Sequence, residues 1–573
     1  MFQPKSESVQ VGVQSVIIPC RNGTNFSGES QLYFDIPRNI GFANLKNARI
    51  LTSIKLDNTP GSLCAPYIPD RITGAQCFIK RCTIRSNGVV LEELNNYNLY
   101  AKLHHSASWD AGVENKRTRL EGCMKSNRIQ DSVYHVPNQA TADNTDTPNC
   151  FVNIDRQVEI PILGGIFQNP KAFPLMAMPL EVELILARAV EVMGIPDGLG
   201  GDAGLPCDVT GGATLDAVVT AANAAQWGPI GTGNELSPDP NNNIVSCCPF
   251  RIGQIVRFTC DGPNTNLDAA AVGGTPITNI KSNAGVFTIS CAAYATGITG
   301  TNVAIHSLGG ADGGGLTVQS AGFILQPAGP NPPVSPMNYV WKNPRLLIPK
   351  VVPPPQFAQA MAKAIQKGKY SIDCLSYIDY MTAISGSITN STSIIPADLS
   401  RVKAILSVPI DQQNVDRADT RNGLTGLYGG AENYIYQINN ILQPDRNVNV
   451  RRENDGQPAN QATWGVTRAS APWSQGSNIS GIHIYELEKA LQSAGIAVRN
   501  LNFITKPASL NGCWALGRSL GPYGTSTSLM NVSAILYLNY DPAIYNSNLK
   551  LLHNFVAHIR TLEITPGGTV VRY

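Results

Sequence analysis

Residues Pro353–Thr382 read PPPQFAQAMAKAIQKGKYSIDCLSYIDYMT, and three kinds of backbone follow one another within them. Proline has no backbone N–H to give to a strand ladder, so the run after Val351 and Val352 ends any sheet that precedes it. A helix then starts: Phe357, Met361 and Ile365 recur at a spacing of four among alanines, and Gly368 supplies the stop. From Tyr370 the period falls to two, with Ile372, Cys374, Ser376 and Ile378 on one face and Asp373, Leu375, Tyr377 and Asp379 on the other. A sheet ends, a helix links and a new sheet begins, which is the seam of two β-domains in tandem.

The flanks carry mostly strand signals. Ala48–Leu56 alternates, and Cys77–Leu91 holds two β-runs around Ser86-Asn87-Gly88, where Asn-Gly accepts the positive φ of a tight hairpin. Leu91–His105 (LEELNNYNLYAKLHH) carries a helical stripe, and Ser106–Cys150 reads as long polar loops. VNIDRQVEIPIL and PLEVELIL follow, the latter with Leu180, Val182, Leu184 and Leu186 inward and Glu181 and Glu183 outward. Gly194–Ser335 is rich in Gly, Ala, Thr and Asn but punctuated by FRIGQIVRFTC, AGVFTISCAAYA and SAGFILQP, so it reads as a β-rich insertion in the first domain. Asn343–Val352 returns to the parent sheet. Beyond the seam, Val402–Ile410, Tyr434–Ile441, Leu501–Thr505, Asn531–Tyr540, Leu551–Arg560 and Thr561–Ile564 read as strands. A helix over Gly481–Ala494 interrupts them, and Pro566-Gly567-Gly568 turns the chain into a closing hairpin. Many short strands without β-α alternation predict two antiparallel sandwiches.

The composition agrees with a protein that hides surface against other protein. The chain has 573 residues, enough for more than one core; 15% are charged and 43% hydrophobic, and no apolar run reaches the length of a membrane span. A net charge of +2, with no Lys/Arg run, argues against strong nucleic-acid binding. The N-terminus lacks the pattern of a secretory signal, so the 13 cysteines are expected as thiols and the sequons at Asn22, Asn25, Asn390, Asn478 and Asn531 as bare. Cys247 and Cys248 are the only adjacent pair and no C-x-x-C occurs, so neither zinc nor a redox couple is supported.

Four blocks in order resemble the double jelly-roll major capsid proteins of double-stranded DNA viruses, of the Polinton-like virus and virophage type. They are CTIRSNGVVLEELNNYNLYAKL, EIPILGGIFQNPKAFPLMAMPLEVELIL, the seam itself, and KLLHNFVAHIRTLEITPGG. They span about half the chain and leave Gly194–Ser335 and Asp411–Asn433 unmatched. The resemblance implies two antiparallel eight-stranded jelly rolls side by side, with a β-rich insertion in the first and a few short helices. It also implies a homotrimeric, pseudo-hexagonal capsomer and an icosahedral shell assembled inside the host cell and not secreted, with neighbouring capsomers and minor capsid or penton proteins as partners. The divisions it suggests are an N-terminal arm over 1–17, a first jelly roll over 18–354 with an outward tower at 194–335, a linker helix over 355–369, and a second jelly roll over 370–573. Phe357, Met361 and Ile365 are expected to pack the linker helix between the sandwiches.

No catalytic, cofactor or metal site is expected. His104 and His105 close a helix, where they suit its dipole; His553 and His558 read as structural. Gly517-Arg518-Ser519-Leu520-Gly521 fits G-x-S-x-G, but Pro522 follows and no helix succeeds it, so it reads as a loop. The cluster at Leu308–Gly315 lacks the strand-before, helix-after setting of a nucleotide loop and reads as turns. Glu92 and Glu93 are expected to open a helix, Glu181 and Glu183 to be solvated, and Trp109, Trp227, Trp341, Trp464, Trp473 and Trp514 to serve as dispersed anchors. The alternatives are a β-sandwich glycan-active enzyme or carbohydrate-binding protein, for which no carboxylate pair stands out, and a viral spike or minor capsid protein, which the two-domain seam disfavours.

Overall fold

The computed structural model describes residues 12–57, 68–124, 132–137, 151–194, 205–211, 215–219, 255–260, 275–283, 286–291, 299–307, 338–368, 370–386, 388–411, 424–426, 431–450, 480–501, 513–521, 525–540, 549–565 and 568–572. Eight principal strands build the first sandwich: β1 (Gly12–Pro19), β2 (Gln31–Ile36), β3 (Arg49–Asp57), β4 (Ile79–Ser86), β5 (Val89–Leu94), β6 (Arg156–Pro161), β7 (Leu180–Leu186) and β8 (Asn338–Val352). Eight more build the second: β9 (Tyr370–Ile384), β10 (Asn390–Ile395), β11 (Val402–Asp411), β12 (Ala431–Ile438), β13 (Ile441–Asn449), β14 (Leu516–Ser519), β15 (Ala534–Tyr540) and β16 (Lys550–Thr565).

In the first sandwich one sheet runs β1-β8-β3-β6 and the other β2-β7-β4-β5; in the second they run β9-β16-β11-β14 and β10-β15-β12-β13. Adding eight to each label of the first sandwich gives the second. All of these pairings are antiparallel. Both sandwiches also join the last two strands of their second sheet by the same device. Asn87 and Gly88 (φ 48° and 83°) join β4 to β5, and Asn439 and Asn440 (φ 51° and 60°) join β12 to β13. Two residues at positive φ match the right-handed twist of the flanking strands, and Asn and Gly tolerate that conformation best.

The fold is a double jelly roll: the strand pattern predicts its two antiparallel sandwiches, and the resemblance implies the jelly-roll order. Several boundaries differ from the sequence reading. Gly12–Ile17, placed in an N-terminal arm over 1–17, pair residue for residue with Val352–Leu347 as part of β1. The polar stretch after Ser106, read as loops, contains a helix, α2 (Ala111–Leu120), whose cap is Asp110: its carboxylate accepts from the Val113 N–H at 2.6 Å. Residues Leu91–Leu94 remain strand, and α1 starts only at Tyr97 and ends at Ala107. The run read as one strand over Tyr434–Ile441 is a hairpin of two. Gly517–Ser519, read as loop, belongs to β14, and Gly517 leaves room for the neighbouring helix, since a Cβ there would lie 2.7 Å from the Ala490 Cβ. That helix is the one foreseen at Gly481, here α4 (Gly481–Ser493). Strand expectations at Leu501–Thr505 and SAGFILQP lie essentially outside the described residues, as do Trp227, Trp464, Trp473, Cys247 and Cys248.

Between β7 and β8, Leu205–Gly211, Leu215–Val219, Ile255–Cys260, Thr275–Asn283, Val286–Cys291 and Thr299–Ser307 close on themselves as a six-stranded barrel. The insertion is thus a folded unit with no free sheet edge among these strands. Among the described residues no helix is long and apolar enough to cross a membrane.

Candidate functional site

The two like sandwiches meet along one buried surface. The meeting surface is the outer face of the β9-β16-β11-β14 sheet. In β16, Leu552–His558 are buried without interruption. Leu552 and Val556 belong to the interior of the second sandwich, whereas Phe555 and Ala557 belong to a core that is continuous with the first. Covered on both faces, LLHNFVAH lacks the alternation of a half-buried strand, and its buried polar members His553 and Asn554 face hydrogen-bonding partners, the Asp379 carboxylate and the Tyr380 carbonyl.

Helix α1 fills the seam. Tyr100 stacks on Tyr377 of β9 at 3.9 Å between ring centroids and meets Phe555 edge-on at 5.7 Å; Tyr377 and Phe555 lie 5.4 Å apart, nearly perpendicular. Such a trio contributes about 0.5–1.5 kcal/mol per ring pair beyond the area it hides. Polar groups fix the register around it. Asn96 donates to the Asp379 carboxylate at 2.6 Å, which also faces His553 Nδ1 at 2.8 Å, and Asn169 Nδ2 donates to the Asp373 carbonyl at 2.8 Å. The Arg499 and Asn500 N–H groups both donate to the Ala107 carbonyl, at 2.8 and 3.1 Å, and the Arg499 guanidinium pairs with Asp110.

Glu92 is the centre of this polar frame and departs most from the sequence reading. It does not open a helix; it lies on β5, wholly enclosed, and accepts from the Ser376 hydroxyl across the seam and from the Ile166 N–H at 3.0 Å. Burial pushes its carboxyl up from the ordinary range, while the Arg560 charge, the Ser376 hydroxyl and the Ile166 N–H pull it back. Arg560 itself crosses the seam to donate to the Leu91 carbonyl. Gly165 makes the close approach to Glu92 feasible: it sits at φ +52°, and a Cβ would fall 1.6 Å from the Glu92 Oε2. No spacing rule signals this carboxylate, because its partners lie on distant segments.

The other flagged residues resolve as follows. The linker helix α3 (Pro355–Gln366) forms as predicted and rests on β9 and β16, with Met361 buried and Ile365 partly buried. Phe357, expected to pack with them, lies on the same stripe but at its uncovered end, in the first turn of the helix, and is 37% exposed. His104 and His105 are not charged partners of the helix dipole. Burial and the Arg117 charge lower both, His104 to about 4, so they are held neutral. His105 lies against Gln76, the Ile72 carbonyl and Glu121. Glu183 is not solvated; it is buried between Arg81 and Arg85, while Glu181 sits 3.7 Å from Arg85 at the surface. Trp109, Trp341 and Trp514 are buried anchors. Cys20, Cys77, Cys82, Cys123, Cys374 and Cys513 are free thiols. Among the described residues no cluster of three His, Cys, Asp or Glu side chains could hold a metal ion.

An ion pair between α1 and the segment before β4 is wholly enclosed. Lys102 of α1 and Asp70 meet at 2.5 Å with both side chains at zero exposure, and Thr73 gives Asp70 two further hydrogen bonds, at 2.6 and 2.9 Å. The sequence shows these only as an unremarkable Lys and Asp.

No family model matches the chain, and no curated protein does. Among solved structures it is similar to the Faustovirus major capsid protein, at 10% identity and a TM-score of 0.46, over 99% of this chain and 92% of that one. It is similar also to a chain of the PBCV-1 virus capsid quasi-atomic model, at 11% identity and 0.45, over 100% and 99%. A third is a chain of the Sputnik virophage cryo-EM structure, at 10% and 0.43, over 100% and 90%.

Proposed function

We propose that this chain is a major capsid protein of a double-stranded DNA virus: a structural, non-enzymatic subunit that forms homotrimers of pseudo-hexagonal outline, which tile an icosahedral virion shell. The observation that carries the reading is the repetition of one eight-strand order in two sandwiches locked by a buried seam. One such chain offers two near-equivalent outer edges, and threefold closure turns them into six, which suits hexagonal tiling. A seam this apolar and this thoroughly hydrogen-bonded keeps the two edges at one fixed angle, as a repeating tile requires. The scarcity of charge, 15% of residues, suits broad contacts between copies. The capsid location, the neighbouring capsomers and the minor capsid or penton proteins as partners belong to the same proposal.

The divisions proposed on this basis are the two jelly rolls, the α3 linker and the barrel-bearing insertion. The insertion leaves β7 and returns to β8 at the end of the sandwich remote from the Asn87-Gly88 turn, and we assign it to the particle exterior as a tower. Negative-stain microscopy of the purified chain tests the reading: hexagonal capsomers or closed shells are expected, and a population of isolated two-lobed monomers at assembly concentrations would contradict it.

A further inference from the structure

Lys102 and Asp70 are placed for more than an ion pair, because each is anchored by its own backbone. Lys102 lies in the middle of α1 (Tyr97–Ala107). Asp70 begins a tight turn in which its N–H donates to the Val192 carbonyl at 3.0 Å and its carbonyl accepts from the Gly74 N–H at 2.9 Å. Gly74 stands at φ +57°, and a Cβ there would lie 2.6 Å from the Glu121 carbonyl oxygen and 2.8 Å from the Cys123 Sγ, so the turn has no room to shift. Lys102 Nζ and Asp70 Oδ2 then meet at 2.5 Å with both side chains at zero exposure.

The two carboxylate oxygens are held differently. Oδ1 accepts from the Thr73 hydroxyl at 2.6 Å and from the Thr73 N–H at 2.9 Å, whereas Oδ2 faces the Lys102 amine. One oxygen is thus gripped as that of a polarised carbonyl is, and the other lies beside a nucleophile. The surroundings favour loss of charge. Cys77 and Cys513 are near enough to feel both members of the pair, and burial raises both thiols, so neither brings a charge of its own. An ammonium has three N–H donors to satisfy, and among the described residues Lys102 Nζ has one hydrogen-bond acceptor, Asp70 Oδ2.

We propose that Lys102 and Asp70 condense within the folded chain to an isopeptide bond between Nζ and Cγ. The ammonium gives a proton to Oδ2, which leaves a neutral amine and a neutral carboxyl group, the pair that an enclosed site favours over two charges. The amine lone pair then attacks Cγ while the two Thr73 donors stabilise the charge that gathers on Oδ1. A second proton passes from the nitrogen to Oδ2, the Cγ–Oδ2 bond breaks and one water leaves. The nitrogen keeps one hydrogen, Oδ2 departs with two, and no oxidant, cofactor or second protein is required.

The product keeps the donors that the site already provides. Oδ1 becomes the amide carbonyl oxygen and retains both Thr73 bonds, and one amide N–H replaces the three donors of a buried ammonium. The bond closes residues 70–102 into a covalent ring that contains the β4–β5 hairpin, and it ties the helix whose Tyr100 fills the seam to the turn at Asp70. Such a ring stabilises by restricting the unfolded chain, as a disulfide does, but a reducing environment does not cleave an amide. The inference is independent of the capsid reading: it concerns the single chain and is read out without assembly.

Mass spectrometry of the purified chain, unfolded and digested with trypsin, tests it. Trypsin does not cut after an acylated lysine, so residues 56–71 and 86–116 are expected as one branched peptide, lighter than its two parts by one water, as the main product that contains Asp70. The K102R chain keeps a cation at the site but has no amine to condense, and it should give residues 56–71 as a linear peptide and an intact mass without the loss of water. Linear 56–71 as the main product from the parent chain, with cleavage after Lys102, would overturn the proposal. So would a loss of water that stays on 56–71 alone, which would mean a cyclic imide at Asp70 and no bond to Lys102. The parent digest decides between these outcomes even if K102R fails to fold.

Discussion

The two sandwiches share a strand order yet differ in what lies on them. In the first, the sheet β2-β7-β4-β5 turns a face outward that carries Arg81, Arg85, Glu93, Glu181 and the sunken Glu183 in alternating charge. In the second, the sheet β9-β16-β11-β14 turns its outer face into the seam and carries Tyr377, Phe555 and Ala557 there. The two faces belong to non-equivalent sheets, since β2-β7-β4-β5 corresponds to β10-β15-β12-β13 and β9-β16-β11-β14 to β1-β8-β3-β6, so the repeated fold meets itself through different sheets. The linking segments differ as sharply: residues 187–337 join β7 to β8, while residues 541–549 join β15 to β16. A connection at the end of a sheet can grow without disturbing the ladder, because loop-closure entropy rises only slowly with length and the barrel hides its own strand edges.

If the joint and the surface differ in this way, mutations should separate them. Tyr377→Ala removes a wholly buried ring from the seam and is expected to cost about 3–5 kcal/mol, visible as a large fall in Tm or in the denaturation midpoint. Glu181→Ala, on the outward sheet, should cost no more than about 1 kcal/mol. Equal losses at the two sites would erase the distinction. Lys102→Ala leaves the Asp70 carboxylate buried without its cation and is expected to cost about 3–5 kcal/mol. Within the linker helix, Met361→Ala should cost about 2–3 kcal/mol and Phe357→Ala less than about 1; the reverse order would restore Phe357 as the anchor.

Acid should act on both sandwiches, through different groups. Burial lowers His104 in the first and His483 and His558 in the second to about 4, from an ordinary value of 6.5. A folded-state pKa below the unfolded one means that the unfolded chain takes up the proton first. The stability these neutral rings contribute is therefore complete above pH 6.5 and is lost as pH falls toward 4. Glu92, whose carboxyl is raised, acts in the opposite sense and moderates the loss. His483 is enclosed between Trp514 and Tyr434 in the first turn of α4, where the helix dipole also disfavours a cation. His483→Phe is expected to flatten the fall in Tm between pH 6.5 and 4; a slope as steep as the parent's would sink this assignment. The smallest effect is expected from replacing residues 196–336 by a short Gly/Ser link: the sandwiches should keep their seam and a Tm within a few degrees of the parent, measured by calorimetry.

Much of this architecture is legible in the sequence because it is local. The Asn87-Gly88 turn, the period change at Tyr370, the proline run and the α4 stripe are all set by neighbours a few residues away. What is not legible depends on contacts between distant segments. LEEL has the composition of a helix start, but pairing with β4 and the enclosure of Glu92 by Ser376 and Ile166 keep it a strand. Tertiary pairing likewise draws Gly12–Ile17 into a sheet, although nothing in those residues names β8 as their partner. The Asp110 cap was a local signal and could have revealed α2. Phe357 was misplaced because the spacing of four that it shares with Met361 and Ile365 fixes a stripe but not which end of that stripe is covered.

The most direct test of the account is the native mass of the purified chain by size-exclusion chromatography with light scattering. A single species of three times 61.3 kDa, persisting on dilution, is predicted; a stable monomer across the concentrations used would contradict it.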